Sequence, residues 1–302
     1  MDDRHSQSLT ALKAAGWLAR ARLNFRALQA YDLSARAVVW WHRLLCAVAV
    51  LNVAIWSVSA LAVAHAQGLH HGTPDVAGHV QLLLSAGYVL GCAYRSLLPV
   101  YDIPRVVLID SRLSNVIVGR SVATVAELCF AAQWALILHH MAFLSHSLPA
   151  QTVSVLIVPL IVLAEGCSWY AVLTTAQRAH AAENSIWGLC AALVVASLLM
   201  MEPHRVAGLS GPVIAWCVGG AAYVAYIFLF DVPAYWSRWR ADQSSGRRHL
   251  SLAEGVIDVC RRRTVSHRWE VWKSEVLWMS LYFSVGVWSS VSLVYASIAL
   301  GG

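Results

Sequence analysis

Seven apolar stretches, each close to the length of a bilayer-crossing helix, divide the charged residues of this 302-residue chain into short segments. A spanning helix needs roughly 20 mostly apolar residues, because the hydrocarbon core is about 30 Å thick and each residue rises about 1.5 Å. The stretches lie at about 44–66, 79–98, 120–141, 151–175, 184–201, 211–231 and 275–299. Hydrophobic residues make up 59% of the chain and charged residues 13%, where a soluble domain has roughly 45–50% and about 25%. A water-soluble fold of this composition would expose large sticky patches. The expected fold class is therefore all-α: a polytopic integral membrane helix bundle with about seven transmembrane helices.

Basic residues set the expected orientation. The N-terminal segment carries Lys13, Arg20, Arg22, Arg26, Arg36 and Arg43, and the segment after the second stretch carries Arg95, Arg105, Arg112 and Arg120. Arg178 follows the fourth stretch, and a dense set from Arg238 to Lys273 follows the sixth. The alternate loops at 67–78 and 142–150 contain neither Lys nor Arg, and 202–210 contains only Arg205. The positive-inside rule then puts the N-terminus in the cytoplasm and Gly301-Gly302 outside. A bacterial inner membrane is the expected location, with an organellar membrane as the alternative. These loops account for the net charge of +6, so the expected partners are membrane lipids and not nucleic acid. The sequence sets no oligomeric state.

Two regions follow: a cytoplasmic segment at 1–43 and a membrane domain at 44–302 with a basic cytoplasmic loop at 232–274. Residues 8–31 put Leu18, Ala21, Phe25 and Leu28 on one face, with Arg20, Arg22 and Arg26 available to phosphates, as an interfacial helix requires. In the loop, Ser251-Leu252-Ala253-Glu254 has the spacing of a capping box ahead of Val256, Ile257 and Val259. Arg261, Arg262 and Arg263 then stand where a helix dipole favours positive charge. A surface helix on the inner leaflet is expected there. Six cysteines fall inside apolar stretches and Cys260 in the basic loop, which gives a disulfide framework no support.

Ionisable residues within spans are costly, at least ~2.5 kcal/mol each on insertion scales, and so mark candidate sites. Glu127 lies about 10 Å into the third stretch and Glu165 about 15 Å into the fourth from the same side, at 1.5 Å per residue. Their surroundings are alike: Ala126-Glu127-Leu128-Cys129 and Ala164-Glu165-Gly166-Cys167. Adjacent antiparallel spans pack together, so the two carboxylates are expected to meet. Arg120, His180 and Glu183 fall at that level, near Asn184, Asp231, Lys273 and Glu275, with Arg95, Asp102 and Asp110 beside the second loop. Glu127, Glu165, His180, Glu183 and Arg120 are the candidate catalytic residues. The plainer alternative pairs Glu127 with Arg120, and Glu165 with Ser168 or a neighbouring helix, as bundle-holding contacts.

Eight of the thirteen histidines map to outer loops or outer span ends. The neighbouring pairs His70-His71 and His139-His140 are candidate metal ligands, since imidazole is the commonest ligand for transition metals. Loop spacing fixes no geometry for them, and the sequence implies no other cofactor. His180 and Glu183 have a reversed Glu-x-x-His spacing, but a di-metal bundle needs two such pairs. Neither a phosphate-binding glycine loop nor a dinucleotide fingerprint occurs.

Three function classes stay open. The first is an enzyme acting on a lipid or isoprenoid through a polar site in the cytoplasmic half. The second is a proton- or cation-coupled transporter or channel using the same carboxylates, with Pro159 as a candidate helix break. The third is a non-catalytic scaffold or sensor in a membrane complex.

Overall fold

The computed structural model describes residues 34–65, 76–201 and 210–301. Seven of its helices are long and apolar enough to cross a membrane: α1 Ser34–His65, α2 Val76–Leu97, α3 Val116–Leu144, α4 Leu148–Thr174, α5 Gln177–Met200, α6 Ser210–Ser244 and α8 Trp269–Leu300. A shorter helix, α7 Leu252–Arg261, lies between the last two. The chain is a multi-pass membrane fold, and its surface chemistry is inverted relative to a soluble protein. Leu61, Leu83, Leu148 and Leu229 point outward, whereas Gln81, Gln133, Ser85 and Ser290 are buried. Those four inner residues are bonded to one another: Gln133 Nε2 donates to Gln81 O and Ser290 O at 3.2 Å, and Ser290 Oγ lies 2.5 Å from Gln133 Oε1 and 3.1 Å from Ser85 Oγ, while Gln81 Oε1 is left without a donor.

Several helices outrun the apolar stretches. α1 starts ten residues ahead of position 44, because Val38 and Trp41 are buried against Trp272 and Met279 of α8. α6 continues to Ser244, so the first part of the predicted 232–274 loop is helical. Apolar composition marks the lipid-covered part of a helix, and protein contacts carry these two beyond it. Residues 8–31, with the expected interfacial helix, lie outside the described residues. α4 passes through Pro159 without a break.

α3 sits centrally, between α2 and α4, and α8 packs on α2 and α3. Small residues bring α2 and α3 together: a Cβ on Gly87 would lie 2.7 Å from Cys129 Sγ, and one on Gly91 2.7 Å from Ala126 Cβ. α5 follows α4 through the tight turn at Thr175, whose left-handed backbone has φ 61°. α6 packs along α5. The halves of α6 and α8 remote from the basic end are tied by Trp216 Nε1, which donates to Ser292 Oγ at 2.9 Å. Below that tie the two helices scarcely touch. Each carries a π-turn where they part, Ile227–Asp231 in α6 and Tyr282–Gly286 in α8. Below the tie both helices line a polar cavity at the basic end.

A folded cap covers that end. β1 Val100–Tyr101 pairs antiparallel with β2 Val106–Val107, which pairs in parallel with β3 Thr264–Val265. Val100, Val107, Val116, Val172 and Val259 form a small core beneath this sheet. Arg105 is wholly buried at its centre. Its guanidinium donates to Asp258 Oδ2 at 2.9 Å, Asp102 O at 2.8 Å and Val172 O at 2.7 Å. One side chain thus joins the β1–β2 turn, α7 and the end of α4.

The capping box of α7 forms as the sequence predicts: Ser251 N donates to Glu254 Oε2 at 2.8 Å, and Glu254 N to Ser251 Oγ at 3.3 Å. The helix docks on protein, with Gly255 and Val259 buried against α4, while Leu252, Val256 and Ile257 stay exposed. Gly255 permits that approach, since a Cβ there would stand 2.2 Å from Leu173 O.

Candidate functional site

Four helices each turn a polar stripe toward one space in the basic half of the bundle. The spacing of three or four residues that defines a helical face produces each stripe. α3 supplies Arg120, Thr124 and Glu127, and α5 supplies Gln177, His180 and Glu183. α6 supplies Asp231, Tyr235 and Arg238, and α8 supplies Glu275, Trp278 and Tyr282. Tyr101 and Asp102 of the cap close the space from the basic end. Together they enclose a cavity of about 90 Å³, ample for several waters or a small polar group.

Arg120 is the hub of the innermost layer. Its Nη2 donates to Glu165 Oε2 at 2.7 Å, Glu165 Oε1 at 2.9 Å and Glu127 Oε2 at 3.0 Å. Glu183 Oε1 lies 3.9 Å from the same nitrogen. Thr124 donates to Glu165 Oε2 at 2.5 Å and accepts from Trp169 Nε1 at 3.0 Å. Arg120, Glu127, Glu165, His180 and Glu183 are each more than nine-tenths buried. Charges this far from water persist only when paired and hydrogen-bonded; here each carboxylate and the guanidinium is paired, although Arg120 Nε has no acceptor. Both arms of the sequence argument therefore meet: the carboxylates converge, and an arginine compensates them. Glu165 takes Arg120 and Thr124 as partners, while the Ser168 hydroxyl is buried without one.

Charge in this layer does not balance. Three carboxylates surround one guanidinium, and the remaining basic group is His180, whose Nδ1 lies 2.6 Å from Glu183 Oε2. The cluster therefore holds a proton or attracts a further cation. Carboxylate oxygens of Glu127, Glu165 and Glu183 lie within 4.8 Å of one another, a donor set suited to a hard cation. Arg120 already fills the position between them, so a metal would have to displace its guanidinium.

Two features face the cavity with chemistry to spare. Glu183 holds His180 through Nδ1, which leaves Nε2 as the basic nitrogen when the imidazole is neutral. The Tyr282 phenol donates to Glu127 Oε1 at 3.1 Å from the opposite wall. Tyr235 lies against His180 with ring centroids 5.2 Å apart, and Arg238 sits 5.2 Å over the Tyr235 ring.

All five residues singled out as catalytic candidates thus occupy one site. Only half of the histidine candidates fall among the described residues. His70 and His71 lie outside the described residues, His139 Nδ1 hydrogen-bonds Ser154 Oγ at 3.1 Å, and neither His139 nor His140 joins a ligand cluster. Among the described residues, the three glutamates are the only group with metal-ligand proximity. Sequence reasoning missed Thr124, Trp169, Gln177, Tyr235, Trp278 and Tyr282. The available signal was helical spacing, since all six lie three, four or seven residues from an acid or histidine already noted on the same helix.

No protein-family description, curated protein or solved structure matches this chain.

Proposed function

We propose that this protein is a membrane-embedded enzyme performing acid–base chemistry on the polar end of a lipid-borne substrate, at the cytoplasmic side of the bilayer. The observation that carries this reading is the His180–Glu183 pair, 2.6 Å apart at the wall of a polar cavity lined by both α6 and α8. A carboxylate fixing an imidazole by one nitrogen, with the other free, is the usual arrangement of a general base. Tyr282, backed by Glu127, supplies a proton donor on the facing wall. In this reading the lipid enters laterally between α6 and α8, without exposing the chain's interior to water. The basic loops around that end support the cytoplasmic assignment.

The transporter reading has one point in its favour, the surplus of carboxylates over cations. The outer half of the bundle opposes it. Ala131, Ile137, Leu138, Ile157 and Leu293 form an apolar core above the cavity, and α4 is unbroken at Pro159.

The test is turnover in liposomes of a bacterial polar lipid extract, followed by lipid mass spectrometry. The wild-type protein is expected to consume one lipid class or create a new one, with His180→Ala, Glu183→Gln and Tyr282→Phe reducing that change by about a hundredfold or more. A lipid profile that the wild type leaves unchanged, or that folded variants change equally, rules the enzyme reading out.

A further inference from the structure

Charged groups in the deep layer of the site bond directly to one another, but three others that line the cavity make no direct ion pair among the described residues. Asp231 on α6 and Glu275 on α8 both line the cavity. Among the described residues neither makes a direct ion pair; Glu275 accepts from its neighbour Ser274 at 3.2 Å and from Tyr101 of the cap. Arg238, on the same helix as Asp231, lies over the Tyr235 ring and attracts both acids through space without bonding to either. Gln177, more than nine-tenths buried and lining the same cavity, has an Oε1 acceptor with no donor. Groups of both signs and a spare acceptor are therefore presented to one cavity with no direct ion pair between them.

Resting on the enzyme reading, we infer that the substrate's polar end is zwitterionic, a phosphate next to a primary ammonium, as in an aminophospholipid headgroup. Arg238 at the mouth takes the phosphate, with the planar donor geometry suited to that group. Asp231 and Glu275 take the ammonium from the α6 and α8 walls. The Trp278 and Tyr235 rings add cation–π attraction to it. Gln177 Oε1 selects for an amine that still carries N–H bonds, because an acceptor gains nothing from a quaternary nitrogen. The ammonium also offsets the negative surplus of the glutamate layer.

The alternatives each lack one match. An anionic lipid leaves Asp231 and Glu275 uncompensated. A free metal ion leaves Arg238 and the aromatic walls without a role. A headgroup free of its chains would fit the same polar groups, and the experiment separates that source.

Binding is read by calorimetry on the full-length protein in detergent, with short-chain phosphatidylethanolamine, phosphatidylcholine and phosphatidic acid, and with free phosphoethanolamine. The ethanolamine lipid is expected to bind about tenfold or more tighter than the other two lipids, the range of a lost charge-assisted contact. Free phosphoethanolamine is expected to bind more weakly than the lipid; equal binding overturns the lipid source. Asp231→Asn and Glu275→Gln, checked for unchanged thermal midpoints, should each weaken the ethanolamine lipid about tenfold and bind phosphatidic acid as tightly as the wild type or tighter. Arg238→Gln should weaken both.

Ethanolamine lipid binding no tighter than phosphatidic acid or phosphatidylcholine overturns the inference, as does indifference to both acid substitutions. His180→Ala keeps the binding selectivity if the assignments are right. Selective binding with no turnover of any lipid sinks the enzyme reading alone; turnover without selectivity sinks this inference alone.

Discussion

Tyr282 donates its phenol hydrogen to Glu127 Oε1 at 3.1 Å from the first residue of the π-turn in α8. The turn is held from α1. Asn52 Nδ2 donates to Phe283 O at 2.7 Å, and Asn52 Oδ1 accepts from Trp288 Nε1 at 3.0 Å. It also needs Gly286, where a Cβ would lie 2.5 Å from the Tyr88 hydroxyl. A residue outside the cavity lining thus holds the turn that carries a proton donor of the cavity. Asn52→Leu is expected to leave the Phe283 carbonyl and the Trp288 indole unpaired, at a cost of about 1–3 kcal/mol. Lipid turnover should fall along with the thermal midpoint, and a variant unchanged in both would show that the turn holds itself.

Removing the hub of the glutamate layer should be far more damaging. Arg120→Gln strands Glu127 and Glu165 without their cation, and breaking a buried pair this way costs about 3–5 kcal/mol. The double variant Arg120→Gln, Glu165→Gln should recover part of that loss, because one stranded charge goes with its partner. Thermal unfolding in detergent measures both. Losses that simply add would mean the two side chains do not act together.

The cap should respond to acid. Burial opposes ionisation of Asp258, but hydrogen bonds from Arg262 and Arg105 outweigh it and hold the carboxyl below its ordinary range. Glu254 is also lowered, chiefly by the Ser251 backbone N–H. A depressed carboxyl stabilises the fold above its unfolded pKa, and that stability is lost as pH falls through the folded value. Hydrogen exchange at 100–107 and 252–265 should therefore be steady from neutral pH down to about pH 5 and accelerate below about pH 4, after correction for intrinsic rates. Asp258→Asn should abolish most of that acid response. Exchange with the same pH profile in the variant would place the sensitivity elsewhere.

Two glycines make a controlled comparison. Gly255→Ala puts a Cβ against the Leu173 carbonyl, so α7 has to move off α4; a Cβ at Gly166, inside α4, meets nothing within 4 Å. Limited proteolysis of the 245–268 segment should quicken in the first variant. The second should match the wild type or gain about 0.5–1 kcal/mol from its better helix propensity. Equal protease resistance would mean that α7 is not anchored there.

Helix number and the convergence of Glu127 with Glu165 were legible in the sequence for one reason: hydrocarbon penalises both short spans and lone charges. The same penalty says nothing about who compensates whom. Arg120 was visible as a candidate partner of Glu127, but its contact with Glu165 depends on how α3 and α4 are rotated about their axes. Thr124 and Tyr282 were harder to see, because hydroxyl groups are unremarkable in apolar helices until a carboxylate is known to lie opposite. The cap was illegible for a different cause. Two-residue strands carry no periodicity, and Arg105 looks like any loop arginine until Val172 O, Asp102 O and Asp258 are found around it.

A π-turn accommodates extra chain within a helix, so its register can be reset by shortening it. Successive residues of an α-helix are rotated by about 100°. Deleting one residue from Ile227–Asp231 would swing everything below it on α6 by roughly that angle, carrying Tyr235 and Arg238 away from His180 while leaving the membrane span intact. The spacing of this short segment, more than the identity of its apolar residues, decides which way the cavity wall faces.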